Sequence, residues 1–279
     1  MLTRGSADVA SPWALLGWRF TIAFVAALVC VLTGLMKIDL KGKSIKPLIG
    51  IALLYPVLYF IGETYGVYLT SASESAVLIA CIPIGAVIAS SLILKEKPGT
   101  RQLSGIITTV AGVMITVFAV SASVSFSVIG YMCLLGAIVF YSLYSVQVEK
   151  ATEYSSAELT FVMLAAGALA YGTAAVIEAA HNGDLTGLVT LPLVHHDFAF
   201  TVIYEGVGCS MLAFFLTNIT ISKIGASRNA SFSGISTAIS IMTGILILHE
   251  QFNALQFVGV VVIIVGVYIA NSMAERNHD

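Results

Sequence analysis

The sequence predicts an all-α membrane protein, a polytopic helix bundle of two inverted repeats, with four helices in the first repeat and five in the second. Three observations carry this prediction. The chain is far too apolar for water, its apolar stretches have the length of bilayer spans, and part of its second half repeats part of its first.

A soluble domain carries about 25% charged residues; here 10% are charged and 58% hydrophobic, with a mean hydropathy of +0.97. A bilayer span needs about 20 predominantly apolar residues. Such stretches fall near residues 13–36, 48–69, 74–94, 102–121, 128–148, 157–180, 198–221, 229–248 and 255–273. Barrel strands would alternate polar and apolar residues. Long apolar segments that must satisfy every backbone amide internally are helices instead. Residues 1–12 hold Arg4 and Asp8 but no apolar run of the kind a signal peptide requires.

Basic residues collect on the cytoplasmic side of membrane proteins. With the first helix entering from outside, Lys37, Lys41, Lys43, Lys46, Lys95, Lys97, Arg101, Lys150, Lys223, Arg228 and Arg276 all fall inside. This orientation predicts a cytoplasmic C-terminus and places the loop from His181 to Asp197, which has no Lys or Arg, outside.

The repeat has an offset of 154 residues. It lays Ala72-Ser73-Glu74-Ser75-Ala76 on Ala226-Ser227-Arg228-Asn229-Ala230, and Leu92-Ile93-Leu94-Lys95-Glu96 on Leu246-Ile247-Leu248-His249-Glu250. Gln102, Gly105, Gly112 and Val113 then meet Gln256, Gly259, Gly266 and Val267 in the same register. The two copies cross in opposite directions in this topology, the arrangement that secondary transporters use for alternating access. The repeats are placed at residues 1–126 and 127–279. The first is one helix short, and the counterpart of the Val128 helix would precede Met1, an omission that a misassigned start accounts for best.

The chain resembles the EamA-type transporters of the drug/metabolite transporter superfamily over essentially its whole length. The resemblance lies in Ser11-Pro12 leading to Arg19-Phe20, in Leu69-Thr70-Ser71-Ala72-Ser73 through Ile82-Pro83 to Leu94-Lys95-Glu96, in Gly208-Cys209-Ser210 to Asn218, and in Ile224-Gly225-Ala226-Ser227 to Leu248-His249-Glu250. It implies ten helices in two inverted halves, a bacterial plasma membrane, and export of amino acids, related metabolites or drugs. Thr237 departs from the pattern where the second repeat often has the equivalent of Pro83.

Ionisable groups inside a membrane are costly and mark functional candidates. Arg19, Glu63 and Glu205 each lie six or seven residues from the outer end of a helix, about 10 Å deep at 1.5 Å per residue. A desolvated carboxylate that takes up and releases a proton would couple transport to a proton gradient, and Glu63 is the better candidate. Tyr55, Tyr59, Glu63, Gly66 and Thr70 share one helical face. The structural alternative is that Glu63 or Glu205 pairs with Arg19 to hold helices together. Ser210 and Thr217 form a second stripe with Asn218 beside it, and five helical steps put Glu205 about 140° from Ser210. Tyr141, Tyr144 and Gln147 form a polar edge on the Val128 helix. Glu96 and Glu250 close helices at the membrane surface. Gly105, Gly112, Gly259 and Gly266 are spaced for close helix packing.

No cofactor or metal is expected. Cys30, Cys81, Cys133 and Cys209 and the five histidines lack metal-ligand spacing. A net charge of −2 gives no basic face for nucleic acid. Walker A, H-E-x-x-H and G-x-S-x-G motifs are absent, which argues against an ATP-driven pump or an enzyme. The expected partners are the lipid bilayer, a small-molecule solute and, in the coupled version, protons; a homodimer is compatible. The leading reading is a secondary transporter, an exporter of a small polar metabolite or drug-like compound. The alternative class is a non-transporting membrane subunit with an assembly or sensing role.

Overall fold

Apolar runs punctuated by Pro, Gly and charged turns fold as helices throughout the described chain. The computed structural model describes residues 10–70, 75, 78–79, 81–95, 98–118, 127–232 and 254–271, and these contain no strand. The helices are α1 Pro12–Leu32, α2 Lys46–Leu69, α3 Ile82–Ile93, α4 Thr100–Phe118, α5 Val128–Lys150, α6 Ser156–His181, α7 Leu185–Val194, α8 His196–Ile224, α9 Ala226–Ser231 and α10 Ala254–Asn271. Five of them, α1, α2, α5, α6 and α8, are long and apolar enough to cross a membrane. Thr237 and the Leu246 to Glu250 copy of the repeat lie outside the described residues, as does Glu96.

Two expected boundaries change. The first helix stops at Leu32 rather than near residue 36, because Gly34 adopts a positive φ of 79° that turns the chain out of the helix. The segment expected as an outer loop carries α7, whose N-cap Asp184 accepts a hydrogen bond from the Gly187 N–H at 2.9 Å.

The described chain divides into two compact units, Met1–Leu58 with Lys150–Ser222 and Tyr59–Glu149 with Lys223–Asp279. In the first unit α1 packs along α6. Phe20 and Tyr171 stack there with ring centroids 5.2 Å apart. The N-terminus of α6 is closed by a capping box in which Ser155 and Glu158 serve each other's backbone N–H groups. Glu158 also accepts from Lys43 Nζ at 2.8 Å and from the Asp39 N–H at 3.0 Å, which ties the α1–α2 loop to that helix end.

In the second unit α4 packs on α10 through glycine. A Cβ on Gly105 would stand 2.3 Å from the backbone nitrogen of Ala270, and one on Gly266 would stand 2.5 Å from that of Thr109. Bare backbones therefore touch, as the seven-residue glycine spacing predicts. The bend into α9 rests on Gly225, with φ 87°, beside Glu149, whose carboxylate accepts from the Ala226 N–H at 2.7 Å.

Candidate functional site

The first unit buries a cation, a carboxylate and a hydroxyl together. Arg19 projects from the middle of α1. Its Nε donates to Ser210 Oγ at 2.8 Å, and its Nη1 lies 3.7 Å from Glu205 Oε2. Ser210 is fully buried and Glu205 nearly so. The guanidinium also stands 5.6 Å from the centre of the Phe20 ring. Such a charge inside a span is tolerated only with partners of this kind.

Glu205 and Ser210 meet Arg19 together because α8 is not a regular α-helix there. Residues Tyr204–Leu212 form a π-helical turn, in which the Ala213 N–H donates to the Gly208 carbonyl five residues back. Residues five apart then stack as residues four apart do in an α-helix. The 140° separation expected from regular geometry is thereby removed, and the expectation that Glu205 lies off the Ser210 stripe is corrected. Gly206 lets α8 come in against α1, since a Cβ there would stand 2.8 Å from the Arg19 carbonyl oxygen.

The second departure from regularity is in α2. Tyr55 has φ −142° and ψ 115°, an extended conformation that interrupts the helix within Leu53–Leu58. Proline disfavours the α conformation in the residue before it, and Pro56 follows Tyr55. A break inside a membrane frees backbone carbonyls that need new donors. Tyr171 of α6 supplies one, its hydroxyl donating to the Val57 carbonyl at 2.6 Å with Pro56 O at 3.3 Å. Sequence reasoning gave Tyr171 no role, because a lone tyrosine on an apolar helix has no spacing signal; Pro56 was the signal for the break. The continuous face expected from Tyr55 to Thr70 is interrupted here, because Tyr55 is not helical. Tyr55 packs on Phe214, with ring centroids 4.8 Å apart.

The other candidates fall in different surroundings. Asn218 is fully buried and donates to Thr160 Oγ1 at 2.9 Å and to Met163 Sδ at 3.5 Å, a bond between α8 and α6. Thr217 is half-buried. In the second unit the Tyr59 hydroxyl donates to Glu63 Oε1 at 3.0 Å. Tyr59 also packs against Tyr141, which in turn packs against Tyr144, with centroid separations of 5.8 and 5.5 Å. Glu63 thus has a phenol for a neighbour within its own unit. Among the described residues no group of three His, Cys, Asp or Glu side chains is placed to hold a metal ion.

An Arg–Glu–Ser cluster, a broken helix and a π-helical turn thus lie within the apolar helices of the first unit. The sequence matches the EamA-like transporter family over residues 1–118 and 128–272. The chain belongs to that family. As an EamA-like chain it is a multi-pass membrane protein with a transport role. It is similar to the uncharacterized transporter YcxC of Bacillus subtilis, with 32% identity over 96% of this chain and 86% of that protein. It is also similar to the uncharacterized transporter YetK of the same organism, with 27% identity over 91% of this chain and 76% of that protein. A crystal structure 16% identical in sequence superposes over 100% of this EamA-like chain and 93% of its own, with a TM-score of 0.78, and shares its fold.

Proposed function

We propose that the chain is a proton-coupled secondary transporter that exports a small polar metabolite bearing a carboxylate, such as an amino acid, or a drug-like compound of similar polarity, by alternating access. The observation that carries this is the Arg19 guanidinium held inside a span by Ser210 at 2.8 Å and facing Glu205 at 3.7 Å. That Nη1–Oε2 separation is longer than that of a close charge-assisted bond, about 2.7–2.9 Å. A solute carboxylate takes the place of Glu205 on the guanidinium, and Glu205 returns to it when the solute leaves. Glu63 is the proton-carrying group of the proposal, its ionised form accepting a hydrogen bond from Tyr59. The inverted repeats at 1–126 and 127–279 and a cytoplasmic C-terminus belong to the same proposal, on the strength of the internal repeat and the placement of Lys and Arg.

The test is flux in proteoliposomes under an imposed pH gradient, with a panel of amino acids and related metabolites. The parent is expected to show gradient-driven flux. Glu63→Gln is expected to remove the dependence on the gradient while retaining solute counterflow, and Arg19→Gln to remove both. Absence of flux across the panel, or unchanged flux with Arg19→Gln, overturns the proposal.

A further inference from the structure

Helix α7 is bracketed by Asp184 and His195 and contains no ionisable residue of its own. Its 10 residues at 1.5 Å each make it about 15 Å long, half the thickness of a hydrocarbon core of about 30 Å. It cannot cross a bilayer, yet it joins two helices that can, α6 and α8, and packs on both. The Ser11 hydroxyl donates to Glu178, so the end of α6 from which α7 departs lies beside the start of α1.

The polar groups of α7 are closed off as though water were not at hand. Pro192 has no N–H, so the Leu188 carbonyl four residues back loses its helical donor. In an aqueous loop water would fill that place; here the Trp18 indole Nε1 donates to Leu188 O at 3.0 Å. The Thr190 hydroxyl turns back onto the Thr186 carbonyl at 2.9 Å, and Asp184 caps the Gly187 N–H at 2.9 Å. Backbone groups need such internal partners where hydrocarbon replaces water. Trp18 also fixes the depth. It lies six residues beyond Pro12, about 9 Å along α1, so the partner of its indole runs beside α1 and not above it.

Exposure leads to the same conclusion. Leu188, Leu191 and Pro192 are half-buried, whereas Leu185, Val189, Leu193 and Val194 are exposed, the last three by 62, 74 and 66%. Leu185, Val189 and Leu193 follow i, i+4, i+8 and form one stripe. It is flanked by Val176 and Ile177 near the end of α6 and by Phe200 and Ile203 near the start of α8, the exposed apolar residues of two spans. A stripe continuous with lipid-facing surface, and carrying no charge to hold a soluble ligand, has lipid for its partner. We propose that α7 is an interfacial helix, with the Leu185, Val189 and Leu193 stripe seated against the acyl chains of the leaflet at the Pro12 end of α1, at the depth of about 5–10 Å typical of such helices. The proposal does not depend on the role given to Arg19.

The test is tryptophan quenching in the full chain, reconstituted in phosphatidylcholine vesicles. Val189→Trp and Leu193→Trp each add one indole on the exposed stripe, and the parent, whose tryptophans are Trp13 and Trp18, is subtracted. Val25→Trp is the deep control, an exposed position about 20 Å along α1 from Pro12. The quenchers are iodide in the water and phosphatidylcholine brominated either near the glycerol or near the middle of the acyl chain. The emission added at 189 and 193 is expected to be quenched at least twofold more by the lipid brominated near the glycerol than by the other, with the order reversed at 25. Iodide is expected to quench it at least fivefold less than it quenches free N-acetyltryptophanamide. Iodide quenching close to that of the free indole places α7 in water and overturns the proposal. Protection from iodide and from both lipids means that protein, such as a second copy of the chain, covers the stripe, and overturns it too. Stronger quenching by the mid-chain bromines at both α7 positions would overturn the interfacial placement.

Discussion

Removing the two charges of the Arg19–Glu205 pair one at a time and then together separates a structural ion pair from a working one. Breaking a buried pair by deleting one partner costs about 3–5 kcal/mol, mostly through the stranded charge. The two single losses are unequal here. A stranded carboxylate can neutralise itself with a proton, but a guanidinium cannot. Glu205→Ala leaves the Arg19 charge with Ser210 at 2.8 Å and no carboxylate at 3.7 Å, so it falls in the full range. Arg19→Gln leaves a group that can become neutral and should cost about 1–3 kcal/mol, the penalty of an imperfectly bonded polar group. The double variant, Arg19→Gln with Glu205→Gln, removes both charges and should recover most of the loss, since neutral replacements of buried pairs are often tolerated. Thermal unfolding of the purified chain measures all three, and proteoliposome flux is run on the same preparations. Recovered stability with flux still absent is the expected result. Recovery of flux along with stability would refute a transport role for the pair and leave it a tie between α1 and α8.

Two further outcomes follow from packing. Tyr171→Phe removes the donor to the Val57 carbonyl and exposes the break in α2, so a stability loss of about 0.6–2 kcal/mol is expected, the range of hydrogen bonds between membrane helices; an unchanged unfolding midpoint would show that the break needs no donor. Gly105→Ala places a methyl 2.3 Å from backbone of α10, where no side-chain rotation relieves it. It should cost about 1–3 kcal/mol, whereas Gly99→Ala, with nothing within 4 Å, should be close to neutral in the same melt.

Much of the fold was legible because it depends on composition and spacing. The long spans follow from apolar length, and the α4–α10 contact from glycines seven apart. Arg19, Glu205 and Ser210 were legible as candidates because charge and hydroxyl groups are conspicuous in hydrophobic sequence. Their convergence was not legible, because a helical wheel assumes 100° per residue and α8 departs from that through Tyr204–Leu212. Tyr55 shows the opposite case. Its extended backbone follows from the proline after it, but periodicity outweighed that local signal. A cavity in the second unit draws its lining from four helix ends distant in sequence, and no spacing rule brings Ser90, Glu149 and Arg228 to it.

The wide turn in α8 also bears on how relatives are compared. It accommodates one residue more than an α-helical path of the same rise, so length and phase are decoupled over nine residues. A relative that is one residue shorter here keeps both ends of the helix in place but swings Glu205 away from Ser210. An alignment that closes such a gap elsewhere would pair the wrong positions along the face of α8 that meets Arg19. In this chain the presence of that single residue, more than the identity of any one side chain, is what lets a carboxylate and a hydroxyl five positions apart reach the same arginine.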